Sequence, residues 1–296
     1  MKIENLRGSI VAIVTPFKDN GEIDLQAFDA LLEWHIAQGS NGLVVCGTTG
    51  ETPTLSEDED AMMMESAVKI VKGRVPVIAG TGSNSTKDCI KYSKRAKNAG
   101  VDGLLVVAPY YNKPSRKGLH LHFTSVAQAI DIPIILYNVP SRTGSTITPD
   151  LAIQLAKENK NIIAIKEAGG KIEVFVELLA NRPQGFKVYS GDDFLSTMAN
   201  WLGADGCVSV IANVIPHEFS QLMNASINGD VATAREIFYK YQNIINLMFV
   251  ESNPIPVKTA LAAMGKITET FRAPLCPMEE DTKALLLNEM QRLNLI

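Results

Sequence analysis

The sequence lacks the marks of several large protein classes. No apolar run approaches the length that spans a bilayer, which argues against a membrane protein. The opening residues, Met1-Lys2-Ile3-Glu4-Asn5, lack the apolar core of a signal peptide. There is no basic block or arginine-rich arm. The 28 Lys and Arg residues stand against 32 Asp and Glu for a net charge of -4, so no nucleic acid partner is expected. Cysteine is scarce. Cys46, Cys89, Cys207 and Cys276 are widely spaced and form no C-x-x-C pair, which suits a reducing, cytoplasmic compartment. Cys46 and Cys207 lie inside apolar runs, where cysteine acts as a small buried hydrophobe. The dinucleotide fingerprint is also missing: Gly80-Thr81-Gly82 is only a G-x-G, with Ser85 where a third glycine would fall.

What is present is a regular alternation. Of the 296 residues, 46% are apolar, ample for a large core. Short runs rich in Val, Ile and Leu recur at 9–14, 42–46, 76–79, 102–108, 132–137, 161–166, 186–189 and 205–210, and read as strands. Segments of helical period fill the gaps at 25–38, 57–71, 86–99, 115–130, 149–159 and 172–180. Asp24 is a candidate N-cap, and Ser56 with Glu59 forms a capping-box pattern. Strand–helix alternation implies a parallel sheet, and eight strands imply closure into an α/β, (β/α)8 TIM barrel. The chain continues in helical character beyond the eighth strand. The expected organisation is a catalytic barrel over 1–225 and a C-terminal helical domain over 226–296.

Chemistry concentrates at the predicted strand ends. In the run N-I-I-A-I-K-E-A-G at 161–169, alternation puts Ile162, Ala164 and Lys166 on one face. If that face looks inward, the amine enters a confined space that disfavours the ammonium, and a neutral lysine can form a Schiff base with a carbonyl. Against this, most lysines are solvated, and a strand-end lysine can simply reach water. The loop Gly47-Thr48-Thr49-Gly50-Glu51 sits at a strand-to-helix transition, where backbone N–H groups and two hydroxyls suit a small carboxylate. It reads equally as a plain turn with capping threonines. Tyr137 ends the fifth strand on the face of Ile135. Arg142, just beyond it, has the chemistry to clamp a second carboxylate. His120 and His122 are two apart in a helical segment and point away from each other, so they are not read as a metal site. Asp192-Asp193 reads as loop and helix-start chemistry.

Taken in order, G-T-T-G-E at 47–51, Y-Y-N-x-P at 110–114, Y-N-V-P-S-R-T-G at 137–144, I-K-E-A at 165–168, S-G-D-D at 190–193 and N-P-I-P-V-K at 253–258 resemble the 4-hydroxy-tetrahydrodipicolinate (dihydrodipicolinate) synthase family across nearly the whole chain. The resemblance implies a pyruvate-dependent aldolase with no metal and no organic cofactor. Lys166 would form the Schiff base with pyruvate. Tyr137 would move protons, linked through Thr48 to Tyr111 of a neighbouring subunit. Thr48 and Thr49 would hold the pyruvate carboxylate, and Arg142 the carboxylate of L-aspartate 4-semialdehyde. The carbonyls of Gly191 and Val208 would orient the lysine and the substrate. N-acetylneuraminate lyase and the 2-keto-3-deoxy sugar acid aldolases share the lysine and tyrosine. Arg142, and Thr48 as the first threonine of G-T-T-G-E, favour the synthase over the G-S-T-G-E of the lyases. A silent keto-acid or amino-acid binder is a further alternative, disfavoured because Lys166 and Tyr137 are both present. The resemblance also implies a homo-oligomer, usually a tetramer built as a dimer of dimers. It further implies L-lysine as a feedback inhibitor at Thr52, Pro53, Glu57, Asp60, Asn84, Asp88 and Tyr110, whose acidic members suit a dibasic ligand.

Overall fold

The computed structural model describes residues 3–296. Met1 and Lys2, part of the amino-terminal stretch read above, lie outside the described residues. The expected alternation is present in full. It runs β1 (Gly8–Ala12), α1 (Leu25–Ala37), β2 (Gly42–Val45), α2 (Glu57–Val71), β3 (Val77–Gly80), α3 (Thr86–Ala99), β4 (Gly103–Val107), α4 (Arg116–Ala129), β5 (Ile134–Asn138), a one-turn α5 (Pro140–Thr143), α6 (Pro149–Glu158), β6 (Ile162–Glu167), α7 (Ile172–Asn181), β7 (Lys187–Ser190), α8 (Ser196–Trp201), β8 (Gly206–Ser209) and α9 (Pro216–Ile227). All strand pairs are parallel, and β8 pairs with β1, so the sheet closes into a (β/α)8 barrel.

Both faces of the strands are buried, which explains why the runs are continuously apolar. Side chains pointing inward form one cluster that includes Ile10, Val44, Ile78, Leu105, Ile135, Ala164, Tyr189 and Val208. Those pointing outward meet the helices in a second cluster, with Val11, Val45, Leu104, Leu136 and Ile165 among its members. Each fully buried Val, Leu or Ile is worth about 1.5–3 kcal/mol. Ile3 and Leu6 close the amino-terminal end of the barrel, where the Tyr189 hydroxyl donates to the Leu6 carbonyl at 2.9 Å. The caps form as expected: Asp24 accepts from the Ala27 N–H, and Ser56 and Glu59 make the reciprocal capping box.

One expectation needs correction. Ile162 does not share a face with Lys166. Ile134 pairs with Ile162 but Ile135 pairs with Ala164, so Ile163 is an extra residue, a β-bulge. Ile162 therefore joins the outer cluster while Ile163 packs against the inner one. The barrel's last helix, α9, runs to Ile227, close to the expected division at 225/226, and packs against β1 and α8. A turn at 228–230 follows, with Asp230 capping α10 (Val231–Leu247). The remaining helices are α11 (Ile255–Ala263) and α12 (Glu280–Arg292).

Candidate active site

The carboxy-terminal ends of the strands open into a cavity of about 990 Å³. Lys166 reaches it from β6, its side chain confined because the residue is only 6% exposed. β5 and β6 set Tyr137 directly opposite Lys166 in register. The lysine Nζ lies 4.2 Å from the centroid of the Tyr137 ring, so the inward reading of this face holds for both residues. Gly191 makes room for them. A Cβ there would lie 2.6 Å from Lys166 Cε and 2.7 Å from Ala168 Cβ. Its N–H donates to the Glu167 carbonyl at 2.7 Å, holding β7 against β6 beside the amine.

The residues next to this pair point the other way and brace it. Glu167 and Asn138 are also opposite in register. The Asn138 amide donates to the Glu167 carboxylate at 2.8 Å, and the Gly169 N–H donates to its other oxygen at 2.6 Å. Burial pushes the Glu167 carboxyl up from its ordinary range, against those two hydrogen bonds. Asn138 Oδ1 accepts from the Ile147 N–H at 2.8 Å, tying down the segment after α5 that carries Arg142. Asp193 is buried and accepts from the Val210 and Ile211 N–H groups at 3.0 and 2.9 Å, which fixes the end of β8. The Asp192 carboxylate accepts from the Leu195 N–H, so the acidic pair serves loop and helix start as expected.

Gly47–Glu51 forms the second wall. Thr48–Gly50 is a single 3-10 turn, flanked by Cys46 (φ 52°) and Glu51 (φ 55°) in the left-handed region. Two non-glycine residues in that region around one turn mark a conformation held by its surroundings. The Thr48 and Thr49 N–H groups, at the start of the turn, have no acceptor within it. Both threonines line the cavity. The Thr15 hydroxyl donates to the Gly50 carbonyl at 2.7 Å. The tight glycines of Gly80-Thr81-Gly82 have a packing cause, since a Cβ on Gly80 would lie 2.1 Å from the Cys46 carbonyl oxygen.

Arg142 lines the mouth, where its guanidinium donates to the Asn253 carbonyl at 3.2 Å. Val208 lies in the inner cluster and is absent from the cavity lining, in which Val210, two residues further along, takes part. Tyr111 does not join the other predicted catalytic residues within the chain. It is 89% exposed, with φ 73°. Of the predicted effector residues, Thr52, Pro53, Glu57, Asp60 and Tyr110 line the same cavity, while Asn84 and Asp88 do not. The expected acidic character is weaker than the count of carboxylates implies. Glu57 is ion-paired to Lys91 at 2.6 Å and Arg95 at 2.7 Å, and Arg95 itself lines the cavity. Burial pushes the Asp60 carboxyl up to about 7.

Three residues that sequence reasoning left without a role complete the site from the C-terminal segment. Asn253 donates to the Thr49 hydroxyl. Lys258, on α11, forms a fully buried ion pair with Glu51. Arg272 donates its N–H to the other Glu51 oxygen at 3.3 Å and pairs with Glu59. The signal available for Lys258 was a lone cation inside the apolar run I-P-V-K-T-A-L-A-A, since such a charge needs a buried partner. His120 is paired with Glu158 and His122 with Thr86, so the two histidines do point apart. No group of three or more potential metal ligands occurs among the described residues. None of the described helices is long and apolar enough to cross a membrane.

The Dihydrodipicolinate synthetase family model matches residues 5–293. A 4-hydroxy-tetrahydrodipicolinate synthase from Thermodesulfovibrio yellowstonii is 48% identical over 98% of this chain and 99% of its own. The structure is similar to a dihydrodipicolinate synthase from Acinetobacter baumannii complexed with pyruvate, with a TM-score of 0.96 and 43% identity over 98% of this chain and 100% of that one. It is also similar to one from Cyanidioschyzon merolae with lysine bound, with a TM-score of 0.95 and 37% identity over 98% and 99% of the two chains.

Proposed function

The chain belongs to the dihydrodipicolinate synthetase family, and from its site geometry we propose which residues carry that family's reaction. The enzyme is a lyase that condenses pyruvate with L-aspartate 4-semialdehyde to 4-hydroxy-tetrahydrodipicolinate, on the route to diaminopimelate and L-lysine. The observation that carries the residue assignment is the convergence of one confined amine, one phenol and two carboxylate-binding groups on a single cavity.

In this reading the neutral Lys166 amine attacks C2 of pyruvate, and water leaves to give the Schiff base. Tyr137, with its ring beside the amine, hands on the protons of these steps. The Thr48 and Thr49 N–H and hydroxyl groups hold the pyruvate carboxylate. Loss of a C3 proton yields the enamine, which attacks the aldehyde carbon of the semialdehyde. Arg142 holds the carboxylate of that substrate at the mouth. The amine of the semialdehyde then adds to C2 and displaces Lys166, closing the ring and freeing the enzyme. Gly191 acts by leaving space for the lysine and by its carbonyl, and the Val208 carbonyl lies on the neighbouring strand end. No step in this sequence calls on a metal or an organic cofactor.

Tyr111 acts from a second copy of the chain in this proposal. Its exposure and its separation from the cavity support that reading, as does the family's usual dimer-of-dimers assembly. We also propose that L-lysine binds in the outer arm of the cavity near Thr52, Pro53, Glu57, Asp60 and Tyr110, with Asn84 and Asp88 at its rim. The lysine bound to the Cyanidioschyzon merolae relative supports this. Its effect is expected at millimolar concentration, because the paired Glu57 offers little free negative charge.

The test is borohydride reduction in the presence of pyruvate, followed by peptide mass analysis. A covalent pyruvate adduct on Lys166, absent from Lys166→Ala, is expected. Turnover with the semialdehyde and none with N-acetylmannosamine should accompany it. Adduct formation on another lysine overturns the assignment, and turnover with the amino sugar overturns the role given to Arg142.

A further inference from the structure

Thr49 does not act alone on the cavity wall. Asn253, in the loop between α10 and α11, is 6% exposed and lines the same cavity. Its side-chain Nδ2 donates to the Thr49 hydroxyl oxygen at 3.0 Å. That direction matters. A hydroxyl has one proton and two lone pairs. Once Thr49 Oγ1 accepts from the amide, its own proton remains for a third group. A carboxylate in the cavity can only accept, so a hydroxyl that already accepts from the amide has its proton free to donate to it. The reverse amide orientation would draw the hydroxyl proton to Asn253 and turn lone pairs toward the anion, which is repulsive.

The Asn253 Oδ1 is buried without a hydrogen-bond partner, so the Thr49 hydroxyl is the amide's one partner, and the segment around it is held by its neighbours. Five residues on, Lys258 forms its buried ion pair with Glu51, two residues from Thr49 on the same loop. The Arg272 N–H reaches the same carboxylate. The C-terminal segment thus grips the carboxylate-binding turn at Thr49 by a neutral hydrogen bond and at Glu51 by charge.

We propose that the Asn253 side chain is a positioning residue for the pyruvate carboxylate, acting through Thr49 by fixing which way its hydroxyl donates. This deepens the proposed function and rests on Thr49 as a pyruvate contact. The main-chain carbonyl of Asn253, which holds Arg142, survives any substitution of the side chain and supplies an internal control.

The experiment is steady-state kinetics in both substrates for Asn253→Ala, Asn253→Asp, Thr49→Val and the Thr49→Val/Asn253→Ala double variant. Losing the neutral hydrogen bond that orients the Thr49 hydroxyl corresponds to about a fivefold rise in KM for pyruvate in Asn253→Ala. The KM for the semialdehyde and kcat should stay within about threefold. Asn253→Asp should be worse than alanine, because a carboxylate takes the Thr49 proton and adds a like charge near the substrate. Asn253→Ala should add nothing in the Thr49→Val background, since groups acting through one another are not additive. Multiplying effects in the double variant overturn the proposal. So does a parallel rise in both KM values, which marks a collapsed loop, or an aspartate variant that matches the parent. If Thr49→Val leaves the pyruvate KM unchanged, it is the reading of Thr49 itself that fails, and the proposal fails with it. Asn253→Asp conserves the shape of the side chain, so the test survives if the alanine variant does not fold.

Discussion

Replacing Lys258 with methionine isolates the link between the C-terminal helices and the catalytic loop. Both members of the pair are out of water, with side-chain exposures of 0% for Lys258 and 1% for Glu51. The ammonium also lies over the Phe17 ring, 4.3 Å from its centroid. Methionine keeps most of the volume, so the change is chiefly the removal of one charge. Glu51 is then left buried with only the Arg272 N–H as a partner at 3.3 Å. Breaking a buried pair in this way costs about 3–5 kcal/mol. An unfolding entropy of about 2.1 cal/mol/K per residue gives about 0.6 kcal/mol/K for a chain of 296 residues, so the melting temperature should fall by about 5–8 °C. Calorimetry, checked by urea unfolding, measures it. The double variant Glu51→Gln/Lys258→Met removes the stranded charge and should recover at least half of the loss. A single variant as stable as the parent, or a double variant no better than the single, refutes the argument that an uncompensated carboxylate is the cause.

Two further outcomes follow from local geometry. Gly191→Ala puts a Cβ 2.6 Å from Lys166 Cε, so the amine must shift, and misplacement on this scale should lower kcat by about 100-fold while the fold persists; a loss under twofold contradicts it. Asp60 has a folded-state carboxyl raised by burial from its ordinary value near 3.8 to about 7, so the native state holds its proton more tightly than the unfolded chain. That contribution is present in full below about pH 4 and is lost as pH rises through about 7. Asp60→Asn should therefore match the parent in urea unfolding at low pH and be more stable at pH 8; an equal difference at both ends speaks against the assignment.

Much of the fold was legible because it depends on period and punctuation. Eight apolar runs separated by amphipathic segments admit few arrangements, and the caps at Asp24 and Ser56 needed only local hydrogen bonds. Lys166, Tyr137, Thr48, Thr49 and Arg142 were legible because strand ends converge in a closed barrel, and all five line one cavity. What escaped depends on contacts far apart in sequence. Asn253 meets Thr49, and Lys258 meets Glu51, across about two hundred residues, and nothing in local pattern announces such partners. Charge counting also leaves out partners: Glu57 was counted among the acidic residues suited to a dibasic ligand, and two cations from α3, Lys91 and Arg95, pair with it. The face of Ile162 was misjudged for a different reason, since alternation counted back from Lys166 assumes a regular strand and Ile163 breaks it.

That bulge bears on how such a barrel tolerates change over evolutionary time. The orientation of Lys166 is set by its ladder with Tyr137 on one side and Tyr189 on the other, both lying beyond Ile163 along the strand. The extra residue takes up a mismatch between the incoming chain and that ladder. A deletion at 163 would leave Ile134 opposite Ile162 and Ile135 opposite Ala164 in an ordinary register, with the amine still facing the cavity. Single-residue gains and losses ahead of the nucleophile are thereby buffered before they reach it. Lineages can remodel the segment after α6 without turning the amine toward the helices, and length variation in descendants of this chain should collect on that side of the strand rather than between Ala164 and Lys166.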